Sequence, residues 1–509
     1  MAKYDFISPG ELRVYRAEWV LKSFQDEISE LSHGFTIADE FTQNKILADL
    51  KSKYSFRFFD SINTKFDTHG QLLETNDKKK ALINDYHNEL KLKNLIDYDQ
   101  ILYTCYHFLK NNRQATKLIS SIFKWIIVDE YQDTQELQYR IIGLLRSRNS
   151  ELRVSFVGDP DQAIFTSLGG VAYSKSELET ICSIPLTEHN LFGCYRSSQK
   201  IIDYYSLYKG QKGKIISLSN SQSLSTIHYD KTISKDILPA KIIAVIRQQL
   251  SLGVPQDQIC VLSPQWDNLQ EIVTQLKKVA PDLSLDAPGV SPISKNRENI
   301  WYPLSKILLT DSSPENFRKR IKWAREVLKF LKEISGSTLT TPLQFLEFAN
   351  SSKSKAAKGT DYLNESIKNV LNLANIDIKA NPLIANQLSK FLEGTQKRVT
   401  DLGIDNDIET FKSYYREKAG IVLSSFHGVK GEEYEIVIAM GLLRGKIPHW
   451  DCIINTSHLQ DSEANKLLYV IASRAKTSLY LFSETGHVTQ SRNPYVPTEQ
   501  FAQSYPYDK

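Results

Sequence analysis

The sequence is poor in several features that mark other classes of protein. Its five cysteines are scattered over 509 residues, and no two of them have the spacing of zinc ligands. This usage argues against a disulfide scaffold and favours a reducing compartment. No apolar run approaches the length of a membrane span, and the first residues, MAKYDFISPGELR, lack the apolar core of a secretory signal. We therefore expect a cytoplasmic protein with no membrane partner.

Charge is also close to balanced. The chain has 63 Lys and Arg against 59 Asp and Glu, which gives a formal net charge of +4. That excess alone does not establish a nucleic-acid partner. Basic residues cluster at positions 78–80 and 318–325, and each cluster is either a solvated helix face or a contact for phosphates. A length of 509 residues with 41% hydrophobic residues predicts a globular protein of several domains.

The segment WIIVDEYQDTQ, residues 125–135, joins an apolar run to a polar cluster. Ile126, Ile127 and Val128 predict a buried strand of a parallel sheet, because such strands are apolar without alternation. Asp129 and Glu130 follow directly. Ligands of α/β sheets bind at the carboxyl ends of strands, where one carboxylate suits Mg²⁺ and the next suits taking a proton from an attacking water. The alternative is a helix start that Asp129 caps.

The rest of the chain predicts an α/β protein. A second strand, loop and helix pattern occurs in VSFVGDPDQAIF, residues 154–165, and helical spacing dominates residues 35–115 and 300–415. Strand-like runs return in QICVLSP, GIVLSSF, EIVIAMG and SLYLFS. The pattern indicates two α/β domains, each interrupted by a helical insertion.

Five motifs carry a family resemblance: IIVDEYQDTQ, FVGDPDQAIF, CYRSSQ, SSFHGVKGEEYE and EANKLLYVIASRAK, in this order. In these the chain resembles the UvrD/Rep-like DNA helicases of superfamily 1. The resemblance implies two RecA-like P-loop-type domains, each with a helical insertion. The expected boundaries are a partial first RecA-like domain (1–34), a helical insertion (35–115), the rest of the first domain (116–212), the second RecA-like domain (213–300 and 416–509) and its helical insertion (301–415).

The resemblance also implies roles for residues of the first domain. Asp129 would bind Mg²⁺ and the ATP phosphates. Glu130 would orient and deprotonate the attacking water, and Gln162 would sense the γ-phosphate. Phe165 would face single-stranded DNA as a stacking platform, although core packing is the other interpretation of this side chain.

The resemblance implies further contacts to the nucleotide from the later motifs. Tyr195 would stack on the adenine, and Glu433 would contact the ribose or the phosphates. Arg196 and Arg474 would reach the γ-phosphate, where an arginine can be worth about 10³–10⁵ in rate. His427 would face DNA, with a structural histidine as the alternative.

The phosphate-binding loop GxxxxGK(S/T) is absent from the sequence. In the family it precedes the first helical insertion, and we expect this chain to start too late to hold it. Without it, the phosphates have no backbone N–H nest. The chain is then a split subunit completed by a second polypeptide, a truncated product, or a scaffold that has lost hydrolysis. The retained carboxylates and arginines favour the first two.

The implied function is ATP-dependent translocation on single-stranded or tailed duplex DNA in the 3′-to-5′ direction, with ATP and Mg²⁺ as cofactors. The alternative is a non-hydrolysing module that binds DNA or a partner nuclease. An RNA-acting enzyme is a third class, which fits the motifs less well.

Overall fold

The chain forms two compact units. Unit 1 comprises Met1–Phe192 and Lys209–Lys214, and unit 2 comprises Gly193–Tyr208 and Ile215–Lys509. The computed structural model describes residues 15–38, 40–57, 60–166, 169–211, 213–219, 224–264, 266–287, 291–293, 300–335, 341–375, 377, 382–401, 403–416, 420–489, 491–501 and 505–508. Residues 1–14 of the segment expected to open the first RecA-like domain lie outside these ranges. The motif CYRSSQ groups with unit 2.

Unit 1 is mainly helical around short parallel strand pairs. Its elements are α1 (Tyr15–Ser23), β1 (Thr36–Ile37), α2 (Glu40–Lys53), α3 (Asp77–Leu92), β2 (Leu95–Ile96), α4 (Tyr98–Asn111), α5 (Arg113–Ile122), β3 (Trp125–Val128), α6 (Glu136–Arg148), β4 (Arg153–Phe156) and α7 (Lys175–Cys182). The pairs are β1 with β2 and β3 with β4. Helix α4 begins at a capping box in which Asp97 accepts from the Gln100 N–H at 2.8 Å.

The predicted strand in WIIV is present as β3 and is parallel to β4, with Trp125 opposite Arg153 and Val128 opposite Phe156. Its burial differs from the prediction. Val128 is buried, Ile126 and Ile127 are half-buried, and Trp125 keeps 46% of its surface exposed. A fully buried strand has neighbours on both sides, and among the described residues β3 pairs with β4 alone.

Unit 2 contains a six-stranded sheet in which every pair is parallel. Its strands are β7 (Thr226–Asp230), β8 (Ile259–Ser263), β9 (Leu285–Asp286), β10 (Ile421–Ser425), β11 (Tyr434–Ala439) and β12 (Ala475–Phe482), in the order β7-β12-β11-β8-β10-β9. The runs ICVLS in β8 and IVLSS in β10, which are interior strands of the sheet, are buried at every position, as continuous apolar runs predict. A further parallel pair joins β5 (Gly193–Cys194) to β6 (Ile216–Ser217).

Helices cover this sheet and form a separate layer between β9 and β10. The covering helices are α8 (Gln199–Tyr205), α9 (Leu238–Ser251), α10 (Trp266–Val279) and α18 (Gln460–Ala472). The short helix α17 (Trp450–Asn455) precedes α18. The layer consists of α11 (Trp301–Leu309), α12 (Pro314–Ser335), α13 (Pro342–Ser351), α14 (Gly359–Leu373), α15 (Pro382–Asp401) and α16 (Ile408–Ser413). These six helices share a hydrophobic cluster that includes Trp301, Phe345 and Phe411. The predicted α/β fold class, with a helical stretch between 300 and 415, is confirmed.

Candidate nucleotide and DNA site

The acidic turn after β3 carries the first two predicted residues. Asp129 is exposed, and its Oδ1 accepts a hydrogen bond from the Glu130 N–H at 2.9 Å. Glu130 has a φ of 48°, in the left-handed region that a residue with a Cβ adopts at a cost of about 1–3 kcal/mol. The N-cap of helix α6 is Gln135, whose N–H donates to Gln138 Oε1 at 2.8 Å. Asp129 therefore does not cap that helix.

A buried glutamine connects this turn to the loop after β4. Gln132 is 1% exposed, and its Nε2 donates to Glu130 Oε2. Its Oε1 accepts from the Asp159 N–H at 3.1 Å. Both ends of the amide are thus satisfied, as a buried polar group requires. The sequence analysis did not identify Gln132 as a site residue. Its position two residues after Glu130, within the polar run, is the feature of the sequence that indicates it.

Gly158 allows the two loops to approach each other. A Cβ at this position would lie 2.1 Å from Gln132 Oε1 and 2.8 Å from Tyr131 Cδ1. The Tyr131 N–H also donates to the Val157 carbonyl at 3.0 Å. The backbone therefore crosses the Gln132 side chain at a distance that a residue larger than glycine does not allow.

Gln162 lies at the end of the short 3₁₀ turn Pro160–Gln162. Its Nε2 donates to Asp159 Oδ2 at 3.0 Å, and Asp159 Oδ1 accepts from the Asp161 N–H at 3.0 Å. Glu130 and Gln162 are consequently joined through Gln132 and Asp159. Phe165 follows three residues later and is half-buried.

Unit 2 brings two later motifs together in an ion pair. Arg196 Nε lies 2.9 Å from Glu433 Oε2, and Arg196 Nη1 donates to the Ser473 carbonyl at 3.0 Å. Lys476 Nζ lies 3.4 Å from the other Glu433 oxygen. The Arg196 hydrogen bond, with a smaller contribution from Lys476, holds the pKa of Glu433 below its ordinary value. Glu433 is therefore ionised and already paired in this structure.

Arg474 is 1% exposed, at the turn from α18 to β12. Its Nε donates to the Val470 carbonyl at 3.1 Å, its Nη1 to the Glu432 carbonyl at 3.3 Å and its Nη2 to Ser473 Oγ at 2.9 Å. The guanidinium thus stabilises the junction of α18, β12 and the turn before β11.

The aromatic candidates of unit 2 are at the surface. Tyr195 follows β5 and is 79% exposed. His427 is exposed in the turn after β10, where the Gly428 N–H donates to Ser425 Oγ at 3.1 Å. An exposed ring can stack on a base with its whole face.

The predicted site residues form two groups. Unit 1 holds Asp129, Glu130, Gln162 and Phe165, and unit 2 holds Tyr195, Arg196, His427, Glu433 and Arg474. Within each group the motifs are linked by hydrogen bonds or ion pairs, as described above.

The acidic turn can supply one ligand to a Mg²⁺ ion that takes its other ligands from water and nucleotide. In the part of the chain that the structure describes, no group of three or more His, Cys, Asp or Glu residues is placed to hold a metal. Mg²⁺ commonly takes one or two carboxylates, several waters and the phosphates of its nucleotide. The exposed Asp129 carboxylate matches that minimal protein contribution.

The basic cluster at 318–325 lies on α12, and its residues differ in burial. Arg318, Lys319, Lys322 and Arg325 are exposed, whereas Arg320 is 2% exposed and donates to Asn350 Oδ1 at 2.6 Å. The cluster at 318–325 therefore offers four exposed cations rather than five. None of the described helices is both long and apolar enough to cross a membrane.

Comparison with known proteins gives the same family as the motifs. The family model of the UvrD/REP helicase N-terminal domain matches residues 15–174. The chain is 24% identical to the probable DNA helicase II homolog of Mycoplasma genitalium over 79% of its own length and 61% of that protein's. It is also 24% identical to the ATP-dependent DNA helicase PcrA of Bacillus subtilis, over 83% of its own length and 63% of that protein's. To the ATP-dependent DNA helicase PcrA of Staphylococcus epidermidis it is 22% identical, over 96% of its own length and 74% of that protein's.

The chain thus spans less than two thirds of the length of the first two relatives. The matched family domain contains the acidic turn and the loop with Gln162, and the relatives extend the similarity over the later motifs. The predicted resemblance to the UvrD/Rep-like helicases of superfamily 1 is confirmed by the matched family domain and by these relatives.

Proposed function

We propose that the chain is a working part of an ATP-dependent DNA helicase or translocase that moves 3′-to-5′ on single-stranded or tailed duplex DNA. The relatives' names support the activity, and the direction rests on the family alone. The proposal keeps two RecA-like domains with the boundaries expected from the sequence. It assigns the acidic turn to nucleotide hydrolysis, Tyr195 to the adenine, and Phe165 and His427 to single-stranded DNA.

The hydrogen-bonded connection from Glu130 to Gln162 carries this proposal. A general base must be held in one position to accept a proton from water, and Gln132 fixes Glu130 by a bond to its carboxylate. The left-handed backbone of Glu130 is a local strain of the kind that accumulates at functional sites. Because Asp159 joins the same network, a contact made at Gln162 is transmitted to Glu130 through two side chains.

Asp129 would hold Mg²⁺ through one carboxylate oxygen. The bound ion would supply neutralisation of the phosphate charge. Glu130 would accept the proton of the attacking water. Arg196 would bind a phosphate only after it exchanges its bond to Glu433, because the ion pair occupies its Nε in this structure.

The phosphate-binding loop would come from outside residues 1–509. The pattern GxxxxGK(S/T) does not occur in the sequence. Either a second polypeptide or a longer form of this chain would supply the loop and complete the site. The chain by itself would bind DNA without hydrolysing ATP at a useful rate.

Titration of the purified chain with fluorescent single-stranded DNA tests the DNA part of the proposal. If about four phosphates are neutralised, affinity should fall by tens of fold between 50 and 200 mM salt, because counterions are released. Phe165→Ala and His427→Ala should each weaken binding, by about 1–3 kcal/mol per lost stacking contact. Equal affinity for blunt duplex, or no binding at low salt, would contradict the proposal.

A second candidate is a scaffold that binds DNA or a partner nuclease without hydrolysis. The burial of Arg474 favours it, because each of the three guanidinium bonds described above ends on an oxygen of unit 2. A limited-proteolysis comparison with and without a non-hydrolysable ATP analogue distinguishes the two candidates. A scaffold predicts the same cleavage pattern in both samples, and a motor part completed by the phosphate-loop polypeptide predicts a changed one.

A further inference from the structure

The carboxylate beside Gln162 binds a distant segment of the chain. Asp161 is 5% exposed, and its Oδ1 accepts a hydrogen bond from the Gly210 N–H at 2.9 Å. Its Oδ2 accepts from the Gln211 N–H at 3.2 Å. Successive backbone N–H groups that converge on one anion are a favourable partner for negative charge. The two bonds therefore satisfy a buried acid that would otherwise be costly to ionise.

The bound segment is the connector, residues 209–214, which belongs to unit 1 although the residues on both sides of it belong to unit 2. Lys209 Nζ donates to the Gly213 carbonyl at 3.0 Å, which bends the connector back on itself. Gly213 has a φ of 115°, and a Cβ there would lie 2.4 Å from Cε1 of Phe192. The chain passes into unit 2 after Phe192 and again after Lys214. These two passages therefore start from neighbouring positions in unit 1.

The connector depends on Asp161 for its place in unit 1. Gly210, Gln211, Gly213 and Lys214 are exposed, so little burial holds them. Among the residues that the structure describes, the two bonds to Asp161 are the hydrogen bonds that join the connector to another segment of unit 1. The two glycines lose more conformational freedom on ordering than other residues do. A carboxylate is a stronger acceptor than a neutral group, and it is suited to hold such a segment in one place.

Asp161 also belongs to the turn that presents Gln162. Asp159 Oδ1 accepts from the Asp161 N–H and Asp159 Oδ2 accepts from Gln162 Nε2, each at 3.0 Å, so the turn is one hydrogen-bonded body. We infer that Asp161 is a positioning residue that fastens the connector to the turn of Gln162. A displacement of this turn is then passed to the segment that leads into unit 2. The inference rests on the proposed function, in which Gln162 senses the γ-phosphate.

Hydrogen exchange of the Gly210 and Gln211 N–H groups measures the two bonds to Asp161. Asp161→Ala removes both acceptors, so both N–H groups should exchange faster by about tenfold or more. Asp161→Asn keeps one acceptor oxygen, because an amide NH₂ only donates, and it should leave one of the two N–H groups protected. Trypsin cleavage after Lys209 and Lys214 should also become faster in the alanine variant.

Asp67→Ala is the matched control. Asp67 Oδ1 accepts from the N–H groups of His69 and Gln71, both at 2.8 Å, in another loop of unit 1. Its loss should speed exchange at His69 and Gln71 and leave the exchange of the connector unchanged. Unchanged exchange of the connector in the Asp161→Ala variant would overturn the inference.

A double-mutant cycle tests whether the turn and the connector are coupled, which a role in local stability alone would not produce. Gln162→Ala removes the side-chain bond to Asp159 and so loosens the turn. In the unmodified background this change should speed exchange of the connector N–H groups by about threefold, and in the Asp161→Ala background it should have no further effect. Additive effects of the two substitutions, or no effect of Gln162→Ala on the connector, would overturn the inference.

Titration with fluorescent single-stranded DNA separates this inference from the proposed function. Absence of DNA binding, together with the coupling expected from the cycle, would refute the proposed function and leave the positioning role in place. DNA binding without coupling would overturn the inference and leave the proposed function supported. Circular dichroism shows whether Asp161→Ala is folded. If it is not, Asp161→Asn takes its place in the cycle, with the same outcomes.

Discussion

Replacement of Asp97 by asparagine should change how the stability of unit 1 depends on pH. Asp97 Oδ2 and His87 Nε2 lie 3.8 Å apart, and neither atom has a hydrogen-bond partner among the described residues. Burial raises the pKa of Asp97 to about 7 and lowers the pKa of His87 to about 4. Between these values both side chains are uncharged.

The two groups act on stability in opposite directions. The folded pKa of Asp97 is raised, so its contribution is complete below its ordinary value of 3.8 and is lost as pH rises toward 7. The folded pKa of His87 is lowered, so its contribution is present above its ordinary value of 6.5 and is lost as pH falls toward 4. Between about pH 4 and pH 6.5, the stability lost through Asp97 as pH rises and the stability gained through His87 largely cancel in the unmodified chain.

Asp97→Asn removes the contribution of Asp97 to the pH dependence of the free energy of unfolding and keeps that of His87. At about 1.4 kcal/mol for each pKa unit, the unmodified chain loses about 3 kcal/mol of Asp97 contribution between pH 5 and pH 8. The variant should therefore gain about 3 kcal/mol relative to the unmodified chain over that range. The asparagine keeps an oxygen for the Gln100 N–H, so the cap of α4 is retained.

Urea unfolding followed by circular dichroism at pH 5, 6, 7 and 8 measures this difference. Asp99→Asn, half-buried in the first turn of the same helix, controls for loss of a negative charge. A stability difference that does not change with pH would refute the raised pKa. A difference of opposite sign would show that Asp97 and His87 form a charged pair.

Two further changes test the interpretation of the site. Gly158→Ala should separate the two loops of unit 1, because its Cβ would lie 2.1 Å from Gln132 Oε1. This variant should lower the urea midpoint of unfolding. Gly394→Ala in α15 is the control: its Cβ would meet no atom within 4 Å, so it should raise stability by up to about 1 kcal/mol. Arg474→Ala should destabilise unit 2 by about 1–3 kcal/mol for each buried carbonyl left without a donor. An Arg474→Ala variant with unchanged stability would contradict the structural role described for this side chain.

Much of the fold followed from the pattern of apolar residues. The runs in β8, β10 and β11 are continuous and β-branched, and each is a buried strand of a parallel sheet. The helical stretch between 300 and 415 is present as six helices. The same reasoning overestimated the burial of β3, because periodicity specifies which residues suit a core and not how many neighbours a strand has.

The site was predictable only at the level of residue type and order. The carboxylates, Gln162 and the arginines stand in recognisable motifs, but Gln132 is an ordinary polar residue in sequence. Its role depends on burial and on the close approach that Gly158 permits, and both are properties of the fold. The buried Arg474 likewise donates to the carbonyls of Val470 and Glu432, and Glu432 lies 42 residues away in the sequence.

DNA-stimulated phosphate release by the purified chain tests the central claim most directly. Because the sequence supplies carboxylates and arginines without a phosphate-binding loop, we expect release at the background rate with ATP, Mg²⁺ and single-stranded DNA. Robust turnover by the chain alone that Glu130→Gln abolishes would contradict the claim that the site needs a phosphate-binding loop that these 509 residues do not contain.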